Sequence, residues 1–230
     1  MNIEILQGVE QAKRAAGIAV VIDVFRAFSL ECYLMSFGCH RILPVGQVET
    51  ARSLKDRHPE YVLIGERHGR ILPGFEFGNS PSQVAAEKIK GKTIVHTTSA
   101  GTQGIAAASA GADEILAAGL VNAKATAQYI LSQKANMVSL ICMGVEGVEQ
   151  SPEDTFCGEY LKAMLLGTGI DIADNIKRIR DHKEGRKFFD PELQDVFPEK
   201  DFEMCTAIDR FDMVLRVNKV AADVFETIVV

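Results

Sequence analysis

No stretch of this 230-residue chain stays apolar for the roughly 20 residues that a membrane-spanning helix requires. Nor is there an excess of positive charge: 25 Lys and Arg against 31 Asp and Glu give a formal net charge of −6. A nucleic-acid or anionic-membrane surface needs a basic stripe, so neither is an expected partner. Cysteine is sparse and unpatterned. Cys32, Cys39, Cys142, Cys157 and Cys205 form no C-x-x-C pair, and their odd count suits neither a disulfide framework nor a zinc site. They read as reduced thiols of a cytoplasmic protein. A secretory leader is not expected: Met1 to Gln7 is a short apolar run, but Lys13-Arg14 follows it instead of preceding it. There is no Walker loop and no C-x5-R phosphate loop. An acidic chain that binds an anion must then gather positive charge locally or recruit a cation.

What is present is ordinary globular composition, 47% hydrophobic and 24% charged. Ile18 to Val24 is a β-branched run, apolar on both faces, as a buried parallel strand requires. A helix over Phe28 to Phe37 follows, closed by Gly38. Strands are expected at Arg41 to Val45, Tyr61 to Gly65, Thr93 to Thr97, Glu114 to Ala117 and Met137 to Met143. Helices are expected at Val48 to Arg57, Val84 to Ile89, from Thr102 to Ala110, at Ala123 to Lys134 and at Glu153 to Leu166. Arg67 to Gln83 is rich in Gly, Pro, Asn and Phe and reads as a long ordered loop. The alternation predicts one α/β domain over residues 1–230, three-layer α/β/α with a mostly parallel or mixed sheet. Met213 to Val230 reads as a helix or a strand pair closing that sheet.

Ligands of such sheets bind beyond the carboxyl ends of the strands, and polar clusters fall there. Asp23 and Arg26 end the first strand; Asp23 either pairs with Arg26 or caps the next helix, or it serves as a metal ligand or nucleophile. Glu66-Arg67 ends another strand, as a surface pair or as a metal ligand beside an anion-binding guanidinium. Gly74 to Pro81 offers Asn79 and Ser80 as donors. Thr97 to Thr102 sets small hydroxyl residues and Gly101 at a helix start, either as a cap or as an anion site. Ser151 to Asp154 reads as a helix start with Ser151 as cap and Pro152 at the first position; that accounts for Glu153 and leaves Asp154 as a third carboxylate for a metal. His68 and His96, and the basic run Lys177 to Lys187, are weighed as structural first.

Taken together, Val21-Ile22-Asp23-Val24-Phe25-Arg26-Ala27, Gly65-Glu66-Arg67, Gly74-Phe75-Glu76-Phe77-Gly78-Asn79-Ser80-Pro81, Gly91-Lys92, Thr97 to Thr102 and Glu153-Asp154 resemble, in order, the motifs of the 2-phosphosulfolactate phosphatase family. Glu76 stands where Asp is common there, and Ser99-Ala100-Gly101-Thr102 replaces a more usual Thr-Asn-Gly-Thr. The resemblance implies a Mg2+-dependent acid phosphatase with an α/β fold of its own. Its small anionic phosphate monoester would be 2-phosphosulfolactate, cleaved to sulfolactate and phosphate in coenzyme M biosynthesis. On this reading Asp23, Glu66 and Asp154 hold Mg2+. Asp23, Arg26 and Arg67 are catalytic, while Asn79, Ser80, Thr97, Thr98, Gly101 and Thr102 bind substrate. The alternatives are a phosphatase for another small phosphorylated carboxylic acid and a non-catalytic anion-binding homologue. A haloacid-dehalogenase-type phosphatase is disfavoured, since Phe25 stands where its second Asp would be. A homodimer is the expected oligomer on symmetry grounds.

Overall fold

Residues Gly17–Ile22 alternate between two apolar clusters: Ile18, Val20 and Ile22 join one, Ala19 and Val21 the other. Side chains of a strand point to opposite faces in turn, so both faces of this strand are covered. The same holds across the sheet, where Val62, Ile64 and Ile94 face one cluster, and Leu63 and Val95 another. Two covered faces are what makes the sheet the middle of three layers.

The computed structural model describes residues 1–230. Its ten strands are β1 (Asn2–Gln7), β2 (Gly17–Ile22), β3 (Arg41–Pro44), β4 (Val62–Arg67), β5 (Arg70–Ile71), β6 (Thr93–Thr97), β7 (Ala112–Ala118), β8 (Met137–Cys142), β9 (Leu215–Ala221) and β10 (Val224–Val229). The ten α-helices are α1 (Gly8–Ala12), α2 (Ala27–Ser36), α3 (Val48–Arg57), α4 (Ala86–Ile89), α5 (Gly101–Ala108), α6 (Ala123–Ser132), α7 (Pro152–Leu166), α8 (Ile172–Asp181), α9 (Lys183–Arg186) and α10 (Glu199–Cys205). The strands lie in the order β1-β8-β2-β7-β9-β10-β3-β6-β4-β5. The expected elements are present within two or three residues at their ends. The segment from Met213 forms the hairpin β9–β10, and β1 occupies the apolar run Met1 to Gln7, for which no strand was expected.

The sheet is mixed in a specific way. One parallel block holds β1, β8, β2 and β7, and a second holds β3, β6 and β4. Between them sits the hairpin, antiparallel to β7 on one side and to β3 on the other. Three successive reversals make the second block run against the first. The polar clusters are therefore not on one edge of a uniformly parallel sheet, as the sequence suggested. They meet all the same: Gly101 N, after β6, donates to Asp23 Oδ2, after β2, at 3.0 Å.

Helix α2 bridges the two halves. Phe28 and Cys32, one helical turn apart, pack with the first block's core; Leu30 and Leu34 pack with the second. Every residue from Ala27 to Leu34 is buried, Glu31 among them. The segment after α8 wraps back over the carboxyl end of β2, where Phe188, Phe197 and Phe202 pack around Phe25 and each other.

Candidate active site

A cavity of about 250 Å³ opens where the two blocks meet. Asp23, Phe25 and Arg26 after β2 line it, with Glu66, His68 and Gly69 at the end of β4. Asn79, Ser99, Ala100, the loop Gly144 to Glu146, and Glu153 complete its inner wall, and Glu184, Lys187 and Phe197 of the tail form the outer one. A larger groove of about 870 Å³ lies at the amino ends of β2, β7 and β8 and contains none of the residues singled out in the sequence.

Asp23 fulfils its structural reading and still faces the cavity. Its Oδ1 accepts from Ala27 N at 3.1 Å, which starts α2, and its Oδ2 accepts from Gly101 N at 3.0 Å, which starts α5. Burial, with the Glu66 carboxylate nearby, pushes its carboxyl up to about 6. Glu66 is held from two sides: Ser99 N, in the loop after β6, donates to Oε1 at 2.7 Å, and Gly69 N, in the turn between β4 and β5, to Oε2 at 2.7 Å. These bonds bring the carboxyl ends of β2, β4 and β6 to one place.

Glu153 is the residue that sequence reasoning passed over. It is 4% exposed, it lines the cavity, and its Oε2 has no hydrogen-bond partner. Burial pushes its carboxyl up to about 7. Ser151, expected to cap α7, makes no cap hydrogen bond, and its Oγ is likewise unpartnered. Asp154, expected to join a metal, is turned away from the cavity. Its Oδ1 accepts from Val24 N at 2.8 Å and its Oδ2 from Gly144 N at 2.7 Å, clamping the loops after β2 and β8 together. Successive helical residues are rotated by about 100°, so of the two neighbouring acids only one can face the cavity.

The arginines divide in the same way. Arg26 lies in the cavity wall, 4% exposed, and its Nη1 donates to Asp201 Oδ2 at 2.8 Å and to Val196 O at 2.7 Å. Its Nη2 donates to Gly69 O at 3.3 Å. The tail thus fixes this guanidinium in place. Arg67 follows Glu66 on a strand and so points to the opposite face. It donates to Gly46 O, to Thr97 Oγ1 and to Glu66 O, outside the cavity.

Thr97, the partner of Arg67, also lies outside the lining. Thr98 and Thr102 bond reciprocally, each backbone N–H donating to the other's Oγ1, which is the capping reading of that segment. Gly101 N and Ser99 N are taken by Asp23 and Glu66. The N–H groups expected to grip phosphate at Thr98, Gly101 and Thr102 are therefore spent inside the protein. Ser80 is buried against Ser82 and does not reach the cavity. Of the expected substrate-binding side chains only Asn79 lines it. At the mouth, His68 and Glu146 pair at 2.5 Å, and that contact raises the His68 pKa.

The wall suits a hard divalent cation in its chemistry. Asp23, Glu66 and Glu153 are oxygen donors of the kind Mg2+ takes, and the buried, unpartnered Glu153 Oε2 lacks what a cation would supply. As they stand, no three acidic, His or Cys side chains converge tightly enough to hold an ion. No helix is long and apolar enough to cross a membrane.

Residues 3–219 match the family described as 2-phosphosulpholactate phosphatase. Among curated relatives, a "Probable 2-phosphosulfolactate phosphatase" of Bacillus subtilis (strain 168) is 34% identical over 224 residues, covering 95% of each chain. One from Thermotoga petrophila is 34% identical over 203 residues, covering 85% of this chain and 87% of its own. One from Clostridium tetani is 38% identical over 165 residues, covering 70% of each.

Proposed function

Since the chain belongs to the 2-phosphosulfolactate phosphatase family, it is a phosphoric monoester hydrolase, and we propose that its cavity splits 2-phosphosulfolactate into sulfolactate and phosphate with Mg2+ as cofactor. One observation carries the reading: Asp23, Glu66 and Glu153 share a cavity wall with the pinned guanidinium of Arg26. Left alone, such a wall repels a multiply anionic ester; with a divalent cation it attracts one.

Asp23, Glu66 and Glu153 would hold the ion. Mg2+ bound there would neutralise charge on the phosphoryl oxygens and make a bound water more acidic. Arg26 already donates to Asp201, Val196 and Gly69, which leaves its Nε–H and one Nη2–H for ligand oxygens. A guanidinium fixed before the ligand arrives stabilises developing charge without reorganising. Lys187 adds a second cation on the tail side, and Asn79 a neutral polar group on the inner side. We extend the proposal to a cytoplasmic setting, in keeping with five free cysteines, to coenzyme M biosynthesis as the route that makes this substrate, and to a homodimer.

The test is phosphate release from 2-phosphosulfolactate in Mg2+ and in EDTA. The expected result is turnover in Mg2+ and a loss of roughly 100-fold or more in EDTA. Equal turnover of phospholactate would show that the sulfonate is not read, and would move the substrate to another phosphorylated carboxylic acid. Ligand binding without phosphate release under every divalent metal would leave an anion-binding protein.

A further inference from the structure

Behind Asn79 lies a closed chain of polar groups that the chemistry above does not use. Asn79 Oδ1 is 3.0 Å from His96 Nε2, and His96 Nδ1 is 2.8 Å from Glu31 Oε1. Thr227 Oγ1 donates to Glu31 Oε2 at 2.8 Å. Glu31 and His96 are 0% exposed and Thr227 is 1% exposed, so no water competes for these contacts. The four residues come from α2, β6, β10 and the loop before α4, and only Asn79 reaches the cavity.

The positions of the hydrogens follow from the contact with Asn79. An amide oxygen can only accept, so the 3.0 Å approach of Asn79 Oδ1 requires a hydrogen on His96 Nε2. That N–H donates to Asn79 Oδ1 and fixes which way the carboxamide faces. Asn79 Nδ2 then has no protein partner, is not among the buried unpartnered atoms, and belongs to the part of the side chain open to the cavity.

We propose that Glu31 and His96 are positioning residues that lock the Asn79 carboxamide with Nδ2 facing the cavity, where it donates to an oxyanion of the ligand. The inference rests on the same cavity being the phosphate site. It assigns a specificity role to a histidine and a glutamate that touch no ligand. An amide held this way favours a fully ionised oxygen over a protonated or neutral one, because it offers only hydrogen.

Two isosteric variants test it. In Asn79→Asp the new carboxylate keeps the His96 contact but turns an acceptor toward the ligand. In Glu31→Gln the group that orients His96 from behind is replaced by an amide; where its oxygen accepts from Nδ1–H, the Asn79 amide reverses to meet a bare Nε2. For both, KM for the phosphate monoester is expected to rise roughly 10- to 100-fold with kcat changed far less, since one ligand hydrogen bond is lost. Thermal melting separates this from a loss of fold. If both variants melt near the wild-type temperature and keep the wild-type KM, the proposal is overturned. Nitrogen-15 NMR of the wild-type protein decides it without any variant and without turnover. A protonated His96 Nε2 and an Asn79 side-chain amide that shifts on adding inorganic phosphate with Mg2+ support the proposal. An unprotonated Nε2, or an Asn79 amide indifferent to saturating phosphate, overturns it. If no ester is hydrolysed yet the amide still responds to phosphate, the phosphatase reading has failed and the positioning role stands.

Discussion

At the scale of single residues, burial sets the chemistry of the cavity. Asp23, pushed up to about 6, and Glu153, pushed up to about 7, are both easier to protonate folded than unfolded. Their contribution to stability is thus complete below the unfolded carboxyl range and is lost as pH rises through about 6 and 7. In EDTA the unfolding free energy is expected to fall between pH 5 and pH 7 by on the order of 2–3 kcal/mol per carboxyl at most, and the melting temperature with it. Mg2+ should restore it at pH 7 and do little at pH 5. A melting temperature that is flat over that range in EDTA would detach both carboxyls from this account. Asp23→Asn is expected to cut turnover by about 100-fold or more at saturating Mg2+, because it removes a charge from the cation site. Glu153→Gln should do the same while raising the melting temperature of the metal-free protein, since a buried, unpartnered acid becomes a neutral amide. Paired steady-state kinetics and melts check both.

At the scale of elements, strand ends were legible and side-chain direction was not. The β-branched run before Asp23 and the short strand before Glu66 announce buried strands, and acids at their ends announce a site. Adjacency in sequence groups Arg67 with Glu66, yet neighbours on a strand point apart. A helix start explains Glu153 well enough in sequence and points to Asp154 instead; only the burial and unpartnered oxygen of Glu153 reveal its position. Glu184, Lys187, Phe197 and Asp201 carry no local motif. Their role exists only through contacts such as Arg26 to Asp201, made across 175 positions of chain. That tail element holds the guanidinium, so Asp201→Asn should lower kcat/KM even though Asp201 touches no ligand. Asp201→Ala, which leaves Arg26 buried and unpaired, should cost about 3–5 kcal/mol in urea unfolding. Gly69, at φ +77°, faces Phe197 so closely that an added Cβ would lie 2.4 Å from its ring. Gly69→Ala should displace the tail wall and lower activity more than stability, as melts compared with kcat/KM would show.

At the scale of the whole molecule, the last residues of the chain hold the middle of the sheet. β9 and β10 stand between the two parallel blocks, so β7 and β3 have no direct contact to fall back on. Phe225 is buried in the first block's core and Thr227 bonds Glu31 of the bridging helix. The sequence left Met213 to Val230 as a helix or a strand pair closing the sheet and could not say where it closes, because strand order is set by long-range pairing and not by local period. A terminal hairpin added to an edge could be trimmed at small cost. One inserted centrally cannot: its loss exposes two new strand edges and separates the halves that supply Asp23 and Glu66. Ending the chain before Leu215 is therefore expected to abolish the cooperative thermal transition, followed by circular dichroism. Removing Met1 to Gln7, an edge strand paired on one side only, should leave a cooperative but lowered transition. If the truncation before Leu215 still melted as one unit with both blocks intact, the two halves would have to cohere through α2, α5 and the loops that join them, and the cavity would owe its shape to those elements and not to the sheet.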